Sequence, residues 1–306
     1  MRKTTVRFGI GMIIEKELFV FGRVVRIAKL RHESFDFLED PLTAISRIQR
    51  AKFADLFTFL QDINDKRAAY PFHREAAGAA VLPVTSYEAW WNGLDFRVRN
   101  KIRKAYKTGV ELRDAELNED FARGVEAIYN ESPVRQGRKN WYYGKNAAAI
   151  KQELSSLLDR SYFIGAYVRG EMIGFAKLFH GNNILRTVHI ISKLSQRDKP
   201  VQDALIARAV QICEEKNIPY LQYGSWSRGG LGAFKVKRGF AKLNYSRYYV
   251  PLTYRGKLVL QFRLHHGLKD RLPERWIASL VALRTSWNNF RYGGCFRGSE
   301  HLANRA

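Results

Sequence analysis

The chain has 306 residues, 46% of them hydrophobic and 13% aromatic, enough to bury one large core or two modest ones and too apolar for a disordered segment. Its formal net charge of +23 points to polyanionic partners such as RNA, anionic lipid or a phosphate-rich cofactor. Two distant cysteines, Cys213 and Cys295, exclude a disulfide framework and any C-x-x-C metal spacing, so no metal is expected.

The start of the chain is basic, but Glu15, Lys16 and Glu17 interrupt its apolar run and no small-residue cleavage site follows, so no signal peptide is expected. The late run "WIASLVAL" from Trp276 is far short of the ~18 apolar residues that span a bilayer, and no transmembrane segment is expected. A cytoplasmic, reducing location is the default.

In chain order, "LFVFGRVVRIAKL" from Leu18 reads as a strand-like run. A charged helix is predicted from Pro41 through Ile63, on the helical spacing of Phe53, Leu56, Phe57 and Leu60. "AAVLPVT" from Ala79 is a short buried strand, and Ser86 with Glu88 opens a helix whose Trp90 and Trp91 are core candidates. From Asp95 the next helix sets Arg97, Lys101, Lys104 and Thr108 on one face and Val98, Ile102 and Ala105 on an apolar one, until Gly109 stops it. "VELRDAEL" alternates as an edge strand, Asn118 caps a helix, and "PVRQGRKNWYYG" from Pro133 is a loop before the helix "KNAAAIKQELSSLLDR".

Three strands follow, "SYFIGAYVRG", "EMIGFAKLFHG" and "NILRTVHIISKL", joined by the hairpin turns "RGE" and "GNN". After Pro200 comes an apolar helix, and "IPYLQYGSW" is the strand it feeds, a parallel step through a helix. "LGAFKVKRGF" from Leu231 is a short helix and "AKLNYSRYYVPLT" the last strand, while the basic tail forms one or two amphipathic helices around Pro273. A division into residues 1–86, 87–254 and 255–306 is expected.

The element order from Val110 to Thr253, with the words "FIGAYVRGEMIGFAKL" and "FKVKRGF", resembles the GNAT acyltransferase superfamily. "RVRNKIRKAYKTGVELR" and "AFKVKRGF" are similar to stretches of its Fem-type branch, which transfers aminoacyl groups to peptidoglycan precursors and often pairs two GNAT-like modules. The resemblance implies an α/β (α+β) fold, a GNAT-like mixed sheet with flanking helices. A small, reduced GNAT-like module in residues 1–86 would precede it, and basic helices would follow. It implies an N-acyltransferase moving an acyl group from acetyl-CoA or another acyl-CoA to an amine. An aminoacyl-tRNA donor and a cell-wall precursor acceptor are the alternative, and a non-enzymatic RNA- or membrane-binding relative is a third reading.

By the resemblance, the donor's pyrophosphate would lie on the amides that open the helix after Leu194, since a helix start carries unsatisfied donors. "SQRDKPVQDAL" contains no glycine there, which departs from the family pattern; Lys193, Gln196, Arg197, Lys199 and Gln202 are the candidate donor-binding residues. A plain strand-to-helix connection is the alternative. For catalysis, His189 is the imidazole set within a strand and suits a base, although a hydrogen-bonded sheet histidine is the simpler role. The family's acid is a tyrosine four residues before the last helix's closing glycine, a position held here by Lys235. Lys235 serves as an acid only if burial depresses its pKa, and otherwise as a fixed cation; Tyr223 is the substitute acid. Ser225 and Trp226 at the strand end, and Arg135, Gln136, Tyr142 and Tyr143 in the loop before the fifth helix, are candidate substrate contacts. The six cations from Arg97 to Lys107 form either a phosphate track or a solvated face. The basic, Leu- and Trp-containing tail packs on the core or lies on an anionic membrane.

Overall fold

The computed structural model describes residues 4–10, 14–22, 24–31, 33, 37–38, 40–61, 70–181, 183–266, 279, 282–283, 286–288 and 290. Along the chain these form strands β1 (Thr4–Ile10), β2 (Ile14–Phe21) and β3 (Ile27–Leu30), helix α1 (Pro41–Ala51), β4 (Leu56–Leu60) and β5 (His73–Pro83). Next come α2 (Tyr87–Gly93), α3 (Phe96–Lys107), β6 (Glu111–Ala115), α4 (Glu119–Tyr129), β7 (Val134–Arg135), β8 (Arg138–Lys139) and α5 (Ala147–Leu154). The rest are β9 (Ser161–Val168), β10 (Glu171–Gly181), β11 (Ile184–Ser192), α6 (Val201–Glu215), β12 (Tyr220–Ser225), α7 (Gly229–Val236), β13 (Ala241–Pro251) and α8 (Tyr254–Gln261). The fold is mixed α/β, sheets flanked by helices, and divides into two compact units that interleave: 1–83 with 180–186 and 220–268, and 84–179 with 187–219 and 269–306. The linear division expected at residues 86 and 254 differs from this one, because β12 and β13 return to the first unit.

In the first unit the strand order is β1-β2-β3-β4-β13-β5-β12, and the opening residues of β11 pair in parallel with β12, Ile184 to Tyr220 through Arg186 to Gln222. The last strand, β13, is antiparallel to both β4 and β5, so it sits between two strands made early in the chain. Its core joins Phe57, Phe59, Tyr248 and Val250 to Leu18, Ile45 and Ile48, with Phe59 stacked on Tyr248 at 5.2 Å. Two expectations are corrected here. The helix predicted from Pro41 to Ile63 ends at Ala51, where Lys52 turns left-handed (φ 51), and Leu56–Leu60 is a strand. Its apolar run is nearly all buried, so helical spacing and strand alternation fit it equally, and only a fully covered strand satisfies both faces. The single strand-like run from Leu18 is two strands; Gly22 breaks it at φ +102, where a Cβ would lie 1.9 Å from the Val25 carbonyl oxygen.

In the second unit the order is β11-β10-β9-β6, the expected antiparallel meander with β6 at the edge. Arg169 (φ 51) and Gly170 (φ 81) make the tight turn between β9 and β10. Asn118 accepts a hydrogen bond from the Phe121 amide at 2.9 Å, capping α4. Helix α3 buries Val98, Ile102 and Ala105 and packs on α6, which is buried around most of its circumference. Arg208 of α6 grips Asp114 of the edge strand with Nε at 3.0 Å, tying helix and strand together. Trp90 is core, whereas Trp91 is half-buried, stacked against Tyr87 and covered by the Arg103 guanidinium at 5.3 Å. Burial pushes the Cys213 thiol up to about 12, leaving it unreactive. After α8, capped by Thr253, Pro273 and Cys295 lie outside the described residues, and the tail residues that are described, 279, 282–283, 286–288 and 290, are helical. No helix among the described residues is long and apolar enough to cross a membrane.

Candidate functional site

In the first unit, β12 slips register against β5 between Gln222 and Ser225, with Gly224 at φ +57. This bulge re-aims the strand end, and the Trp226 amide then bonds to the Gly78 carbonyl at 2.8 Å. Helix α7 follows, and Gly232 lets it close on the strand end: a Cβ there would lie 2.1 Å from the Ser227 carbonyl oxygen.

Lys235 of this helix is 3% exposed. Its Nζ donates to the Ser225 carbonyl at 2.7 Å and to Ser227 Oγ at 3.1 Å, and lies 5.0 Å from the centroid of the Tyr223 ring. Phe234 and Phe240 pack edge-on against that ring at 6.2 and 5.8 Å. Burial lowers the Lys235 pKa, and among the described residues no carboxylate forms an ion pair with it. A cation held by neutral groups in a partly dry corner can offset negative charge that develops beside it, or deliver a proton. Three expected site residues, Tyr223, Ser225 and Lys235, are therefore brought together, with Trp226 next in the chain.

The same unit holds a cavity of about 130 Å³ lined by Arg186, Gln222, Tyr245, Arg247 and Glu33, among others. Arg186 is 2% exposed; its Nε donates to Gln222 Oε1 at 3.1 Å and its Nη1 to the Gly181 carbonyl at 2.9 Å. Arg247 holds Glu33 through both terminal nitrogens, at 2.9 and 3.2 Å. Burial pushes the Glu33 carboxyl up, but the Arg247 hydrogen bonds and charge outweigh it and leave the group below its usual range. Sequence reasoning gave these five no role, since a polar residue in a strand or turn looks the same whether it lines a cavity or meets solvent.

The second unit places His189 among aromatics. Its Nδ1 lies 3.4 Å from the Tyr129 hydroxyl, with Tyr142 edge-on at 5.4 Å and Phe175 stacked at 6.2 Å. Burial pushes its pKa down to about 4, so the ring is neutral and weakly basic at pH 7, which suits a packed sheet histidine better than a base. Arg135 turns both terminal nitrogens inward, to the Ser192 carbonyl (2.8 Å), the Ile128 carbonyl (2.6 Å) and Glu131 (3.3 Å). Tyr142 stacks on Tyr129 at 4.5 Å. Buried Asn140 ties the loop to the Tyr129 and Ser132 carbonyls at 2.8 and 3.0 Å. Of the four loop residues expected to meet substrate, Gln136, at the tip of the β7–β8 hairpin, and Tyr143 are exposed.

The segment after β11 is the expected donor loop. The Glu131 carboxylate accepts hydrogen bonds from the Leu194 amide, from the Ser195 amide at 2.8 Å and from Ser195 Oγ at 2.7 Å. Lys193 pairs with Glu171, Lys199 with Asp198 at 3.2 Å, and Arg197 is exposed. Gln202 is half-buried, and Asp203 beside it in the first turn of α6 is buried. Gln196 Oε1 is buried without a hydrogen-bond partner among the described residues. Two open clefts flank the loop: one of about 680 Å³ lined by Asn130, Glu131, Lys193 and Arg197, and one of about 570 Å³ lined by Thr108, Gln196 and Lys199. On α3 of this unit, Arg97, Lys101, Arg103, Lys104 and Lys107 are all exposed, with Phe96 and Tyr106 exposed between them.

No protein-family model matches the sequence, and no curated protein matches it. Solved structures do. The crystal structure of FemX aligns with a TM-score of 0.61 at 10% identity, over 85% of this chain and 90% of that one. L-PGS from Bacillus licheniformis aligns at 0.54 and 14% identity, over 81% and 85%. The C-terminal domain of a putative lysylphosphatidylglycerol synthetase from Agrobacterium fabrum aligns at 0.54 and 13%, over 80% and 84%. The chain shares its mixed α/β, GNAT-like fold with FemX and these synthetase domains.

Proposed function

We propose that the protein is an acyl-group transferase that moves an aminoacyl group from an aminoacyl-tRNA to the amine of an acceptor of the cell-wall-precursor type. The observation that carries the choice of donor is the Glu131 carboxylate on the Leu194 and Ser195 amides. An acyl-CoA would need free amides for its pyrophosphate in this region, and a fixed carboxylate repels one. The exposed cations of α3 and the net charge of +23 favour a long polyanion. The likeness to FemX fits the same donor class.

In this reading the acceptor amine attacks the aminoacyl ester carbon. The oxyanion that forms, and the ribose oxygen that leaves, both gain negative charge near Lys235. The lysine stabilises that charge; its lowered pKa, with the Tyr223 hydroxyl nearby as the alternative donor, suits passing a proton to the leaving oxygen and taking up the one the attacking amine sheds as the amide forms. His189 has no part in the reaction. A second reading, an acyl-CoA donor, is favoured by Lys193 and Arg197 lining the 680 Å³ cleft.

The test is a donor screen on the full chain, read by thermal stabilisation and by transfer of a radiolabelled acyl group to model amines. Stabilisation by charged tRNA together with amine-dependent release of its label is expected, and acetyl-CoA should leave the melting point unchanged. Stabilisation by acyl-CoA, with none by tRNA, overturns the proposed donor. Binding of tRNA or anionic vesicles without transfer to any amine would instead make this a non-enzymatic binding relative.

A further inference from the structure

Strand β5 sets His73 and Glu75 two residues apart, so both side chains leave the same face of the sheet. The short 3-10 turn Leu264–His266 after α8 brings His265 and His266 to that face, 190 and 191 residues away from Glu75 in sequence. Glu75 Oε1 lies 2.9 Å from His73 Nε2 and 2.8 Å from His265 Nε2. His266 Nε2 straddles the carboxylate, 2.8 Å from Oε2 and 3.0 Å from Oε1. The ligating atoms of His73, Glu75 and His265 all lie within 4.8 Å of one another. Tyr249 walls the group, its ring 4.5 Å from that of His265. The His265 side chain is fully buried and among the described residues its Nδ1 has no hydrogen-bond partner, while Nε2 is aimed at the carboxylate.

We propose that His73, Glu75 and His265 bind one divalent first-row transition-metal ion, zinc by donor preference, with His266 holding the carboxylate from outside. Two imidazoles and a carboxylate are a borderline donor set suited to zinc. Ligands about 2.0 Å from a tetrahedral centre stand roughly 3.3 Å apart; each imidazole nitrogen is within a few tenths of an ångström of that spacing from Glu75 Oε1, and the two imidazole nitrogens, within 4.8 Å of each other, would close onto the ion by side-chain rotation. Three protein ligands leave a fourth position for water or a ligand. His266 then acts as the outer hydrogen-bond donor that orients a ligating carboxylate. The ion would clamp the turn after α8 to β5, tying the end of the first unit to its central strands. None of these residues enters the transfer reaction proposed above.

The experiment uses the untagged full chain, stripped with chelator and titrated with Co²⁺ alone, then with Zn²⁺ against a chromophoric chelator. One equivalent of Co²⁺ giving visible d–d absorption, displaced by Zn²⁺, is expected. His73→Ala and His265→Ala should each weaken Zn²⁺ binding by at least 100-fold, and His266→Ala by the roughly 10–100-fold that follows loss of an outer partner. His180→Ala, outside the cluster, should bind as the parent does. Zinc should raise the melting point of the parent and not of His73→Ala. Because the His73 side chain is partly exposed (40%), that variant keeps the test valid should His265→Ala fail to fold. Absence of stoichiometric binding, or binding that persists in His73→Ala, overturns the site.

Discussion

Lys177 and Lys235 are both buried lysines, one in each unit, at 2% and 3% exposure, and their surroundings separate a structural cation from a candidate functional one. Lys177 Nζ donates to the carbonyls of Leu154 and Ser156 at 2.6 and 2.7 Å, with Ser156 Oγ at 3.4 Å. It therefore closes the C-terminal end of α5, where backbone carbonyls lack helical partners. Burial pushes its pKa down to about 8, still high enough to keep it charged at pH 7. Lys235 also finds a carbonyl and a hydroxyl, and each lysine faces a ring, Phe163 at 5.7 Å and Tyr223 at 5.0 Å, but Lys235 alone of the two lies beside the exposed Ser225 and the bulged end of β12. Burial alone therefore does not mark a reacting lysine. What singles out Lys235 for the proposed role is the bent strand end beside it.

The largest expected effect is on Lys235. Lys235→Met should lower transfer about 100- to 1,000-fold, the scale for losing one donor to a developing oxyanion, while circular dichroism shows the fold retained. Unchanged turnover would remove the lysine from the mechanism and erase the contrast. The next concerns His189, whose folded pKa of about 4 lies below its ordinary 6.5. The unfolded chain takes up this proton first as pH falls, so the stability the neutral ring contributes is present above about pH 6.5 and lost towards pH 4. The full loss is about 3 kcal/mol. Urea midpoints of the parent and His189→Gln across that window should diverge, with turnover at pH 7 the same in both.

Lys177→Met should cost about 1–3 kcal/mol by stranding the buried Leu154 carbonyl and loosening the Ser156 one, seen as a lower urea midpoint, with activity per folded molecule unchanged. Reduced activity at full stability would reverse the roles of the two lysines. The smallest effect is on α3, where Lys101→Ala with Lys104→Ala should flatten the salt dependence of tRNA binding by about one unit of slope per residue. An unaltered slope would leave that face merely solvated.

Much of this was readable in the sequence. The order of elements from Val110 to Thr253, the Asn118 cap and the buried stripe of Val98, Ile102 and Ala105 depend on local chemistry, namely turn residues and period, and so could be read from neighbouring residues. The run around Leu56 could not, since a short, wholly apolar segment has no distinguishing period. Lys235 was found by counting from a glycine, but its partners Ser225 and Ser227 needed the bulge to bring them round. Glu131 and the group around Glu75 left no signal, because a carboxylate's meaning depends on amides or imidazoles far away in the chain. Arg135 and Tyr142 looked like binding residues by type, yet the loop turns them inward onto α4.

The place of β13 between β4 and β5 also governs how the protein is made. On a ribosome, β4 and β5 emerge before residue 84, yet the strand that joins them is not complete until Pro251. During that interval both carry open edges and uncovered apolar faces, and closing so long an intervening loop is slow. The second unit, by contrast, runs almost without interruption from Val84 to Pro219 and can organise while the first still waits. Refolding from denaturant should thus proceed in at least two phases, and the early species should be prone to edge-to-edge association.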